Sequence, residues 1–111
     1  MRVDLETLIN EYNKEAKMAL TKTTEIGKIE VVSAYKHVQV RTDTVIKEDG
    51  TEISRSFHRH VLDPGTVDES NNLVERNISG EDATVQSICN VVWTQAIKDA
   101  WKDKCIADNA L

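Results

Sequence analysis

Apolar and polar positions repeat with different periods in three parts of the chain. In the first part Leu5, Leu8, Ile9, Tyr12, Ala16 and Ala19 recur at steps of three and four, which predicts an amphipathic N-terminal helix within residues 1–20. Asp4 and Glu6 near its start and Lys14 and Lys17 near its end match the helix dipole. Residues 21–24 break that period. From Ile26 the chain turns β-branched, through Ile29, Val31, Val32, Val38, Val40, Thr42, Thr44, Val45 and Ile46, and strands are predicted over about residues 26–62. Ser33-Ala34 marks a bend between a first strand, 27–32, and a second, 35–47.

The sharpest local signal is Asp49-Gly50, set between two alternating runs. Both residue types tolerate positive φ, as a two-residue hairpin turn requires. With these two as the loop, paired residues sum to 99. Ile46 then faces Ile53, Lys47 faces Glu52, Thr42 faces Phe57 and Val38 faces Val61, so like meets like and opposite charges meet. That register predicts one core face, Val38, Val40, Thr42, Thr44 and Ile46 against Ile53, Phe57 and Val61. The other face carries His37, Gln39, Arg41, Asp43, Ser54, Ser56, His58 and His60. Arg55 and Arg59 fall on the core face against type. They either reach its edge or pair with acids from another element or subunit.

Beyond the hairpin, Asp63-Pro64-Gly65 predicts a turn, residues 66–72 a polar loop, and Leu73-Val74 and Asn77-Ile78 short extended pieces. Ser79, with Asp82 three residues on, reads as an N-cap. Val85, Ile88, Cys89, Val92, Trp93, Ala96, Ile97 and Ala100 then form one apolar stripe, with Trp101 at its edge, predicting a long helix over about residues 80–107. The expected fold is α+β: an antiparallel hairpin or small sheet flanked by the N-terminal helix and a long C-terminal helix, with residues 21–111 as one domain.

The length, 111 residues, fits one domain with a thin core. Five aromatic residues leave the core to aliphatic side chains, and a 30% charged composition points to partner subunits as a source of stability. The net charge of -5 argues against a nucleic-acid partner. No run approaches the ~20 apolar residues of a membrane span, and the charged N-terminus lacks the apolar core of a signal peptide. The expected location is the cytoplasm, or an assembly made there. Cys89 and Cys105, sixteen residues apart on one helix, would lie ~24 Å from each other, so free thiols are expected.

The sequence contains no Gly-rich phosphate loop, GxSxG, HExxH or CxxC, and no catalytic residue is predicted. His58 and His60 point the same way on a strand, with His37 diagonal to His60. Three imidazoles within mutual reach are a candidate transition-metal site, against a plain reading as polar residues on a solvent face. Apart from that alternative no cofactor is expected. Trp93 and Trp101, offset by ~80° on a helix flank, are candidate subunit-contact anchors or core residues. With Ile97, Arg55 and Arg59 they make up the candidate interface.

Residues 21–31 (TKTTEIGKIEV), 38–44 (VQVRTDT), 56–62 (SFHRHVL) and the run Ser79-Gly80-Glu81-Asp82 followed by Val85-Gln86 and Ile88-Cys89 resemble small proteins of tailed bacteriophages, notably marine and cyanobacterial ones. Many of those begin near the position of Met18, which marks an alternative start that would leave the first helix an appendage. The resemblance covers about residues 21–101. It implies a structural or assembly protein (tail, baseplate, fibre adaptor or capsid decoration) that contacts itself and other virion proteins, and it carries over no catalytic residues. The alternative is a small acidic phage protein that binds and modulates a host protein.

Overall fold

The β-branched middle of the chain and its helix-period ends fold as α+β. A computed structural model describes residues 4–16 and 19–110. In order these form α1 (Leu5–Ala16), β1 (Leu20–Val32), β2 (His37–Glu48), β3 (Thr51–Leu62), β4 (Gly65–Val67), β5 (Leu73–Glu75), α2 (Ala83–Val92) and α3 (Gln95–Asn109). Strands β1, β2 and β3 make an antiparallel sheet in that order, and β4 and β5 make a second, two-stranded one. Packing divides the chain into two compact units. Unit 1 is Met1–Gly27 with Arg41–Arg59, and unit 2 is Lys28–Val40 with His60–Leu111.

In unit 1 the Asp49-Gly50 turn forms as the sequence predicts, with φ of 50° and 84°. Asp49 also fixes the start of β1. Its N–H donates to the Ala19 carbonyl at 2.7 Å, and its carboxylate accepts from the Ala19 N–H at 3.1 Å. These two bonds carry strand pairing back to Leu20, six residues before the β-branched run. Asp4 caps α1 by accepting from the Thr7 N–H at 2.8 Å. Of the predicted α1 stripe, Ile9 is buried while Leu5 and Leu8 are exposed. The side chains of Tyr12, Lys14 and Ala16, and residues Lys17 and Met18 entirely, lie outside the described residues.

The turn is as predicted, and the core face is so only at Val38 and Val40. Val38 and Val40 are buried, then Asp43 and Val45, so burial along β2 switches from even to odd positions. Ile53, Phe57 and Val61, assigned to the core, are all more than half exposed. In unit 1, Glu25, Gly27, Arg41, Asp43, Arg55 and Phe57 touch one another across the strands, and all carry odd numbers. A register summing to 99 places Arg41 and Asp43 on the face opposite Arg55 and Phe57, whereas these side chains meet, and the buried positions of β2 change face between Val40 and Asp43.

Unit 2 has its own core: Val38, Val40, Leu62, Pro64, Val85, Cys89 and Trp93. The link from β1 to β2 is a turn with positive φ at Ser33 and Lys36. Of the segment expected as a polar loop, Thr66 and Val67 belong to β4 and residues 68–72 are the loop of a hairpin with β5, in register Gly65↔Glu75 and Val67↔Leu73. Asp68 closes its tip by accepting from the N–H groups of Ser70 and Asn72, both at 2.9 Å.

The C-terminal helical region is two helices, not one. Asp82 caps α2 by accepting from the Thr84 N–H, the role expected of Ser79. The break falls at Trp93 and Thr94, where Thr94 is extended and its hydroxyl accepts from the Ile97 N–H at 3.3 Å. A threonine hydroxyl that can satisfy a free N–H competes with helix continuation and starts a new helix instead. Replacing it, Thr94→Ala, is expected to cost about 1 kcal/mol in urea unfolding. Cys89 in α2 and Cys105 in α3 are both free thiols.

Candidate functional site

The most constrained group of side chains in unit 1 is built around Asp43, whose exposure is 0%. Arg41, two residues away on the same strand face, donates to both of its carboxylate oxygens at 2.9 and 3.2 Å. Arg55 from β3 donates to it at 2.6 Å, and also to Glu25 of β1 at 2.8 Å and to Glu52 at 2.6 and 3.0 Å. Space for the carboxylate comes from Gly27 of β1. A Cβ there would lie 2.3–2.4 Å from the Asp43 carboxylate atoms. Glycine in the middle of a strand is otherwise unfavourable, and here it marks a close approach.

Burial by itself pushes the Asp43 carboxyl up. The hydrogen bonds from Arg55 and Arg41, with their charges, outweigh it and hold the carboxyl below its ordinary value. Glu52 is lowered too, chiefly by its hydrogen bond from Arg55. Arg55 is correspondingly raised by Glu52, Glu25 and Asp43. A carboxyl depressed in the folded state stabilises the fold fully above its unfolded value, 3.8 for Asp43, and the contribution is lost as pH falls through the lower folded value. Urea midpoints should therefore drop between about pH 5 and pH 2. An Asp43→Asn variant, weaker at neutral pH, should show a flatter acid limb. Parallel limbs would rule Asp43 out as a contributor.

Beside this web lies an exposed apolar surface. Phe57 is 51% exposed and Ile53, four residues earlier on the same strand, 54%. The Arg41 guanidinium sits 4.5 Å from the Phe57 ring centre and that of Arg59 5.7 Å. Such cation–π contacts leave the charge open to a partner. Strand β3 is also an outer strand of its sheet.

In unit 2 the two tryptophans are committed to their own unit. Trp93 is 7% exposed, and its indole N–H donates to the Lys36 carbonyl at 2.8 Å. Trp101 donates to the Gly65 carbonyl at 2.7 Å. It meets Tyr35 and His37 edge-on, at 5.3 and 5.0 Å between ring centres, with the Lys104 ammonium 5.7 Å above its ring. Ile97 is half-buried on α3.

Of the candidate interface residues, Arg55 is balanced by three carboxylates of its own chain, Trp93 and Trp101 each donate to a backbone carbonyl of unit 2, and Arg59 is exposed beside Phe57. His37 shares a hydrogen bond with the Ser33 hydroxyl at 2.8 Å, His60 contacts Glu81 at 2.6 Å, and His58 belongs to unit 1. Among the described residues no group of three His, Cys, Asp or Glu side chains is arranged to hold a metal. The Cys89 and Cys105 thiols are both raised, mainly by burial.

In unit 2 a hollow of about 300 Å³ lies among Asp63, Gly65, Trp101, Cys105 and Asp108. One face of α2, with Thr84, Ser87, Ile88, Val91 and Val92, is apolar and open. Val91 is 74% exposed. No helix among the described residues is long and apolar enough to cross a membrane.

No protein-family model, curated protein or solved structure matches the chain.

Two features are not evident from the sequence. Phe57 reads as a core residue, although arginines two residues to either side of it are a poor fit to a core face. Val91 lies off the apolar stripe that a single helix over residues 80–107 predicts, and in α2 it is exposed.

Proposed function

We propose that the chain is a structural or assembly protein that works by contact rather than by chemistry, associating with copies of itself and with other proteins of a phage particle. The observation that carries this reading is the half-exposed Ile53 and Phe57 on outer strand β3, crossed by Arg59. An exposed apolar strand at a sheet edge is a liability unless something covers it. The polar composition and aliphatic core support the same reading, since stability then comes in part from neighbours. The phage setting, as tail, baseplate, fibre-adaptor or capsid-decoration subunit, rests on the resemblance of residues 21–101.

Mass spectrometry of purified virions tests the setting. Copies of the chain in stoichiometric amount are the expected result. Absence from virions, together with a stoichiometric host protein in pull-downs, would replace it with the host-modulator reading.

A further inference from the structure

We propose that unit 1 is an acid-released element, in which protonation of the carboxylates around Arg55 opens the strands of unit 1 while unit 2 stays folded. Opening of this kind occurs within a single copy and is independent of self-association.

The two units are held by different means. Among the described residues, unit 2 buries Val38, Val40, Leu62, Val85, Cys89 and Trp93, while unit 1 buries Ile9 and Val45 beside Asp43. Two aliphatic side chains remove little apolar surface from water, so the side-chain hold across the strands of unit 1 is largely ionic. Arg55 makes most of it. Its guanidinium donates to Glu25 of β1 at 2.8 Å, to Asp43 of β2 at 2.6 Å and to Glu52 of its own strand at 2.6 and 3.0 Å. Arg41 is the second cation facing Asp43. Every acceptor in this web is a carboxylate, and acid neutralises them all. With Asp43 neutral, two guanidinium groups remain against a buried group that no longer carries their counter-charge, which is a costly state for a fold. The Asp43 carboxyl is held below its ordinary value of 3.8, so the hold is complete above that value and is lost as pH falls through the lower one.

Unit 2 has no such dependence. Its ion pairs Arg76–Asp63, Lys98–Glu75 and Lys104–Asp108 are partly exposed, and surface pairs contribute little to stability. The His60–Glu81 contact is partly exposed as well. Cys89, the titratable side chain among its buried residues, is a thiol and stays neutral in acid.

Two-dimensional proton–nitrogen NMR of the full chain, followed from about pH 7 to about pH 2, separates the units. The indole N–H signals of Trp93 and Trp101 report unit 2, and the amides of residues 41–59 report unit 1. The unit 1 signals should collapse to random-coil positions between about pH 5 and pH 2, while both indole signals keep their neutral-pH positions. Asp43→Asn imitates the neutral side chain. At neutral pH its amides over residues 41–48 should exchange with solvent at least about tenfold faster than in the wild type, with exchange in α2 unchanged. Glu25→Gln takes one partner from Arg55, leaves Asp43 in place, and should open at a higher pH than the wild type. Loss of both sets of signals at one pH would overturn the proposal, as would unit 1 signals that persist at about pH 2. So would an Asp43→Asn chain whose exchange quickens equally in both units or in neither.

Discussion

Gly27→Ala should destabilise the protein by about 3 kcal/mol, lowering the midpoint of thermal unfolding by roughly 15 °C. The added methyl would occupy a point 2.3–2.4 Å from the Asp43 carboxylate. That carboxylate has no freedom to turn away, because Arg41 and Arg55 hold it through bonds of 2.6–3.2 Å. Either the guanidinium contacts break around a buried charge, or β1 moves off β2. Alanine is otherwise the better residue in a strand, so a loss on this substitution reports the clash and not local propensity. The double variant Gly27→Ala/Asp43→Ala gives the control. With the carboxylate gone, the added methyl should cost less than about 1 kcal/mol, and the difference is the coupling between the two sites. A Gly27→Ala protein as stable as the wild type would mean that the close approach of β1 to Asp43 is not there.

Trp93→Ala should cost more still, about 3–5 kcal/mol, by emptying the space of a buried indole in unit 2. Trp93→Phe separates packing from hydrogen bonding. It keeps most of the ring and leaves the Lys36 carbonyl without its 2.8 Å donor, at a cost of about 1–2 kcal/mol. Urea unfolding followed by circular dichroism measures both, and the fluorescence of the remaining Trp101 follows unit 2 directly. Were Trp93 an anchor for a partner instead, Trp93→Ala would leave the unfolding midpoint unchanged and lower the assembly state.

Local chemistry made part of this fold legible. Asp49-Gly50 specified its turn because positive φ is a property of the two residues themselves, whatever surrounds them. The helix and strand periods likewise gave α1, the sheet and the helical C-terminus. What failed was the step from turn to face. Cross-strand pairing from the turn is chemically reasonable for several residues, but the buried positions of β2 change face between Val40 and Asp43, and an alternating sequence tolerates either face. The deciding residues were Gly27 and Asp43, sixteen positions apart, whose relation exists only once β1 lies beside β2. Asp43 in the sequence is indistinguishable from a solvent-facing acid, since its burial depends on two arginines and an absent Cβ.

The candidate site followed the same division. Arg55 stood out in the sequence as a charge on an apolar face, with pairing to acids of another element as one of two readings, and Glu25 and Asp43 are those acids. Phe57 did not stand out, because a lone aromatic in a strand resembles a core residue until the register is known. The division of the C-terminal helix was legible in principle from Thr94, a residue that caps as readily as it continues a helix. The apolar stripe running through it gives no sign of an interruption, and Val91 lies outside that stripe.

Sedimentation velocity on the wild-type chain over a wide range of concentration tests self-association most directly. The weight-average mass should rise above the 12.5 kDa of one copy as concentration increases. A mass that stays at 12.5 kDa at every concentration would contradict it.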